Sequence, residues 1–391
     1  MIKLRGRGLT AVWLLLAAGG LIGILLYKLG NLTGGLSAGE ITAATTPVGW
    51  HGIYHHPFYL PLNFARSVVF VLFKEHGQTL TRLPDAFFGG LTIISFAWLI
   101  RLWHGTRTAV LTSLLFATGA WTLHVSRLAS FDVLYLWAMP TLLLSYALLH
   151  KYNDRASVWY GSLMTWGLLL YIPGLGWPVL IVIFLQRSSL AKAWRHFGRW
   201  WQRLLYILAG LVWLPLLVVD LLRPGNLAVW LGWPSRLGTP LHMLKQFAAV
   251  PVHLFIRGPE YPQLWLARAP ILDVFALAAC VIGIYFYVTH WRAGRTRLLG
   301  LLAFSGFVLV GLGGPVGLSL LVPLLYVTAA TGVAYLLHEW LHTFPNNPVG
   351  RGLGLALIIV AVSLSAVYNL RAYFVAWPHN AVTRTTFQHR R

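Results

Sequence analysis

The chain has 391 residues, 58% of them hydrophobic and 10% charged, and a net charge of +21. Soluble domains carry about 25% charged residues, so this composition excludes an ordinary water-soluble enzyme. The basic residues flank apolar runs, which points to anionic membrane lipids and topology rather than to nucleic acid, and the single cysteine, Cys280, excludes an intramolecular disulfide.

A bilayer core needs about 20 apolar residues per helix. The first run, about 9–30, follows Lys3, Arg5 and Arg7. It exceeds the roughly 7–15 apolar residues of a cleaved signal peptide and reads as an uncleaved anchor. Ten further spans are expected at about 83–103, 108–125, 131–150, 156–172, 175–187, 203–222, 270–290, 298–313, 316–337 and 352–374. The fold class is therefore all-α, a polytopic membrane protein of about 11 transmembrane helices. With the N-terminus in the cytoplasm, the short inner connections carry Arg101 and Arg107, Lys151 and Arg155, Arg187 to Arg203, Arg292 to Arg297, and Arg351. The short outer turns carry only Arg127, as the positive-inside rule requires.

Residues 1–374 read as one transmembrane domain and 375–391 as a basic tail outside. Two long outer loops interrupt the domain, at 31–81 and 223–268, and loops of that length are usually functional. The stretch Leu62–Lys74 is amphipathic and suits the outer membrane surface, and Leu241–Ile256 has the character of a second interfacial helix.

Chemistry must come from few groups, because the chain has nine acidic residues. Glu40 opens the first outer loop. It is a candidate general base at the membrane boundary, but Ser37-x-x-Glu40 also reads as a helix capping box. Asp132 begins the fourth span, where an acid complements the helix dipole, and Arg127 nearby could pair with it or hold a phosphate. His51, His55 and His56 have a partly metal-like spacing, but Gly52 and Pro57 oppose a regular helix there, so they read as interfacial packing and no metal ligand is assigned. The glycines of Gly311–Pro315 follow no strand and read as a turn, not a phosphate loop.

The order of these features carries a resemblance. An acid opens the first outer loop, Thr81-Arg82-Leu83-Pro84-Asp85-Ala86-Phe87-Phe88-Gly89-Gly90 leads into the second span, and Ser126-Arg127-Leu128-Ala129-Ser130-Phe131-Asp132 precedes the fourth. This resembles the GT-C membrane glycosyltransferases, specifically the bacterial relatives of protein O-mannosyltransferases and of the lipid A aminoarabinose transferase. The resemblance implies transfer of a sugar from a polyprenyl-phosphate donor to a lipid, polymer or glycan acceptor, on the outer face of a bacterial plasma membrane and with inversion. It implies Glu40 and Asp132 as catalytic acids, and Arg82 and Arg127 near the donor phosphate. Arg257 and Arg268 of the second long loop are further candidates for that phosphate, each also suited to lipid headgroups. No cofactor is assigned, and a divalent cation is compatible. Two departures stand out: the family's Asp-Glu pair is here Gly39-Glu40, and Ser130 stands where an arginine is common. They keep open a transporter or flippase of lipid-linked glycans and an inactive assembly partner in envelope glycan synthesis. The middles of the spans are almost free of ionisable residues, which counts against an ion-coupled transporter.

Overall fold

A computed structural model describes residues 16–45, 57–73, 77–196, 200–221, 223, 225–236, 238–264, 266 and 268–388. The histidines His51, His55 and His56 lie outside the described residues, as does the start of the first apolar run.

In chain order the helices are α1 (Leu16–Leu26), α2 (Ala38–Thr45), α3 (Leu60–Phe73), α4 (Gln78–His104), α5 (Thr106–Thr118), α6 (Ala120–Arg127), α7 (Asp132–Lys151), α8 (Ala156–Leu169) and α9 (Gly176–His196). They continue as α10 (Trp200–Gly210), α11 (Leu214–Leu221), α12 (Asn226–Trp230), α13 (Pro240–Phe255), α14 (Val274–Thr289), α15 (Gly294–Gly311), α16 (Val322–Thr343), α17 (Pro348–Arg371) and α18 (Ala381–Thr386). Among the described residues six helices are long and apolar enough to cross a bilayer, and α5 with α6 makes a seventh if the bent pair is one span. At 14 and 16 residues, α8 and α14 are shorter than the 20-residue length on which a count of eleven spans relies.

The span expected at 108–125 is broken. Gly119 separates α5 from α6 with a bend of 62°. A Cβ at Gly119 would crowd the Tyr326 hydroxyl, so the bend brings backbone and phenol into close approach. In lipid a freed backbone donor needs a protein partner, and the Ala120 N–H finds it in the Asn369 side chain at 3.3 Å.

Without a strong hydrophobic drive between helices in lipid, small residues allow close packing. The tightest pairing, α14 on α16, follows this rule: a Cβ at Gly283 would run into the Thr328 carbonyl, and one at Gly332 into the Ala279 carbonyl. Cys280 is buried in this seam. The other close pair is α4 with α7, joined through Phe88, Phe96 and the buried face of α7.

Residues 62–73 of the amphipathic stretch fall in α3, with its polar face turned inward. Asn63, Arg66 and Ser67 are buried, whereas Phe64, Val68, Val71, Leu72 and Phe73 are exposed. An apolar face outward and a polar face against protein is the arrangement a lipid surround favours. The second such stretch forms α13, with Val250 and Leu254 inward and Leu241 and Leu244 outward. Gly313, at φ +69°, closes the turn after α15, and its Cα lies against Gln246 of α13. The tail is folded: Tyr373 and Trp377 stack at 5.1 Å, and Trp377 meets Phe387 edge-on at 5.5 Å.

Candidate active site

The site is organised around the turn between α6 and α7, residues 128–131, which two buried carboxylates hold by its backbone. Glu40 accepts from the Ala129 N–H at 3.2 Å, and Asp85 from the Ser130 N–H at 3.1 Å. Each carboxylate has its own guanidinium: Arg82 donates to Glu40 through Nε and Nη2 at 2.7 and 2.9 Å, and Arg66 donates to both Asp85 oxygens at 3.3 Å. Arg82 and Asp85 stand three residues apart on α4, one turn of helix, so a single rigid element supplies half of each pair. A charge removed from water needs such pairing, because the penalty for leaving it alone is several kcal/mol.

Glu40 has one of its two expected features, the capping box: the Ser37 N–H donates to Oε2 at 2.9 Å and the Glu40 N–H donates to the Ser37 hydroxyl at 3.2 Å. An ionised carboxylate offers about four acceptor positions. Here Arg82 takes two, Ser37 one and Ala129 one, and the residue is 1% exposed.

Arg82 is equally committed. Beyond Glu40 it donates to the carbonyls of Leu29 and Gly35 and to the Thr33 hydroxyl, and it is 3% exposed. Arg127 donates to the carbonyls of Ile24 and Tyr27 and lies over the Phe374 ring at 4.7 Å, tying α1 and the segment just before the tail to this turn. Arg82 presents no free fork to a phosphate, whereas the Nε of Arg127 is buried without a hydrogen-bond partner among the described residues.

Asp132 differs. It opens α7 half-buried, and among the described residues no donor or cation is bonded to its carboxylate. Its Oδ1 rests where a Cβ on Gly317 would stand, so glycine at that position makes room for the acid. Beside it, Phe131 stacks on Tyr59 at 4.1 Å, and the Tyr59 and Tyr135 hydroxyls are 3.4 Å apart. Burial pushes the Tyr59 phenol up to about 12, with the Asp132 charge adding to the effect and the Tyr135 hydrogen bond opposing it.

The second long loop docks on the same centre. The Gln263 carbonyl meets His124 Nε2 at 2.7 Å, and the Gln263 amide packs against the Cα of Gly39. Gln263 thus fills the space beside Glu40 in which any side chain at position 39 would have to stand. This loop carries Arg257 and Arg268, 46% and 56% exposed, which share the Glu260 carboxylate at 3.1 and 3.8 Å.

Of the expected site residues, the structure brings Glu40, Arg82 and Arg127 together around one turn, with Asp132 at the end of that turn and Arg257 and Arg268 on a loop anchored to it. Asp85, Arg66, Gln263, Tyr59 and Gly317 are participants that their sequence positions did not single out. The three-residue spacing of Arg82 and Asp85 was the one available signal. Among the described residues no group of three or more His, Cys, Asp or Glu side chains could hold a metal.

No family model matches the sequence, and no curated protein matches it by sequence. The fold does match. The apo ArnT of Cupriavidus metallidurans, a lipid A aminoarabinose transferase, superposes with a TM-score of 0.60 at 14% identity, over 97% of this chain and 78% of that one. The chain has a GT-C fold. The same ArnT bound to undecaprenyl phosphate gives 0.56 at 13% identity, over 95% of this chain and 76% of that one. The Archaeoglobus fulgidus oligosaccharyltransferase, tethered to an acceptor peptide, gives 0.54 at 16% identity, and the chain spans about half of that protein's length, 55%. The all-helical membrane architecture and the GT-C likeness expected from the motif order both hold.

Proposed function

We propose that this chain is a membrane glycosyltransferase that moves a sugar from a polyprenyl-phosphate donor to a hydroxyl acceptor, on the outer face of a bacterial plasma membrane. The observation that carries the reading is the fold match over 97% of the chain to an ArnT, a protein also described with undecaprenyl phosphate bound.

Within that reading the expected roles divide. A general base needs a free lone pair within reach of the acceptor proton. The Glu40 carboxylate has four donors on it, so Glu40 with Arg82 is assigned to hold the turn that presents Asp132. The general-base role passes to Asp132. The acceptor hydroxyl gives its proton to the Asp132 carboxylate as its oxygen bonds to the anomeric carbon. The bond from that carbon to the donor phosphate oxygen breaks, the electron pair leaves with the polyprenyl phosphate, and the anomeric configuration inverts. Arg257 and Arg268 are assigned to the departing phosphate, since two guanidiniums over one carboxylate keep a net positive charge. Arg127 is assigned to architecture.

The test is release of polyprenyl phosphate from short-chain polyprenyl-phosphate sugars by the protein in lipid nanodiscs. Wild-type release that falls by about 100-fold or more in Asp132→Asn supports the assignment. Release unchanged in that variant removes Asp132 from the chemistry. Absence of release by wild type across donors and acceptors, with donor bound, favours the transporter or assembly-partner reading.

A further inference from the structure

A cavity lies at the end of the bundle away from the Glu40 centre. The end of α4, the start of α5, the end of α16 and the start of α17 border this open cavity of about 660 Å³. Small-molecule sites occupy roughly 300–1,000 Å³. Along α4 the run from Arg82 to His104 rises about 33 Å at 1.5 Å per residue, close to the roughly 30 Å of a bilayer core. The cavity is therefore separated from the Glu40 centre by about the thickness of the membrane.

Its lining has two chemistries. Arg107, Arg351, His104 and His338 supply the polar side, and no carboxylate lines it. Neither Arg107 nor Arg351 has an ion-pair partner among the described residues; Arg351 donates to the Pro345 carbonyl at 3.3 Å and has further donors to offer. The other wall is aliphatic, built from Leu337, Leu341 and Leu355. Two guanidiniums without an acid select an anion and fit the oxygens of a phosphate. A small soluble anion would leave the leucine wall facing water, whereas a phosphate attached to an acyl chain covers both sides.

We propose that this cavity is a binding site for the phosphate headgroup of an anionic lipid, with Arg107 and Arg351 on the phosphate and the acyl chain along the leucine wall. The site is independent of the catalytic reading, since it shares no residue with the Glu40 centre.

The experiment measures binding of radiolabelled phosphatidic acid to the full-length protein in phosphatidylcholine nanodiscs, with thermal unfolding of every variant as the folding control. Saturable binding is expected. It should weaken by about tenfold or more in the double variant Arg107→Ala, Arg351→Ala, and remain within about twofold in Arg155→Ala, Arg187→Ala, which removes the same charge elsewhere. Leu341→Trp, which keeps the cations and fills the cavity, should weaken binding to a similar degree. An equal loss in the two double variants, or binding that does not saturate, would show diffuse attraction to a basic surface and overturn the proposal. Displacement of the lipid by a modest excess of inorganic phosphate would overturn the lipid assignment in favour of a free anion.

Discussion

The two ends of the bundle use arginine in opposite ways. At the Glu40 end, Arg82 and Arg66 are paired with buried carboxylates, and Arg127 is bound to two carbonyls. At the far end, Arg107 and Arg351 line a cavity without an acid among its walls. A guanidinium held inside the protein by carboxylates or carbonyls orders the chain, while one facing an open cavity is available to a ligand. A net charge of +21 is thus not one property: part of it is architecture, and part is surface on which an anion can rest.

The sharpest way to break this contrast is to unmatch the architectural end. Arg82→Ala would leave Glu40 buried and unpaired, and should cost about 3–5 kcal/mol of stability in thermal or denaturant unfolding. The double variant Arg82→Met, Glu40→Gln should recover most of that loss. A single variant as stable as wild type would mean that the pair orders nothing. Asp132→Asn comes next, with about a 100-fold loss of transfer and stability within about 0.5 kcal/mol of wild type. Equal losses of stability and transfer would make Asp132 an architectural acid like Glu40 and Asp85.

Smaller effects sharpen the picture. Gly317→Ala places a methyl group against the Asp132 carboxylate, and misplacement of a reacting group by about 1 Å can cost up to 100-fold. We expect about a tenfold fall in turnover with donor affinity retained. The smallest effect is a titration. Tyr59 is held at about 12 chiefly by burial, above its ordinary 10.0. Because its folded value is raised, the stability it contributes is complete below pH 10 and is lost as pH rises through about 12. Tyrosinate absorbance, read as wild type minus Tyr59→Phe, should show that late ionisation. Asp132→Asn should move it to lower pH, because the neighbouring negative charge is one of the causes holding it up.

Parts of the centre were legible in the chain itself. Ser37-x-x-Glu40 has the spacing of a capping box, and both of its hydrogen bonds form. Asp132 falls at the first residue of a helix, where the order of apolar runs put it. The partner of Glu40 was not legible: Arg82 is 42 residues away, and no periodicity links a loop acid to the first turns of a later helix. Nor could the pattern show that α3 turns Arg66 inward. Amphipathicity specifies two faces but not which of them meets protein, and in lipid the polar face seeks the interior.

Composition and the positions of apolar runs were enough to determine a helical membrane protein, because the bilayer leaves a chain few other ways to satisfy its backbone. Motif order pointed to the GT-C fold, and the fold match agrees. Three matters were decided only by tertiary structure: the break at Gly119, the four donors gathered on Glu40, and the open carboxylate of Asp132 backed by Gly317. Each depends on groups distant in sequence meeting within hydrogen-bond or van der Waals reach. Such encounters are set by how helices pack, and local residue pattern does not encode them.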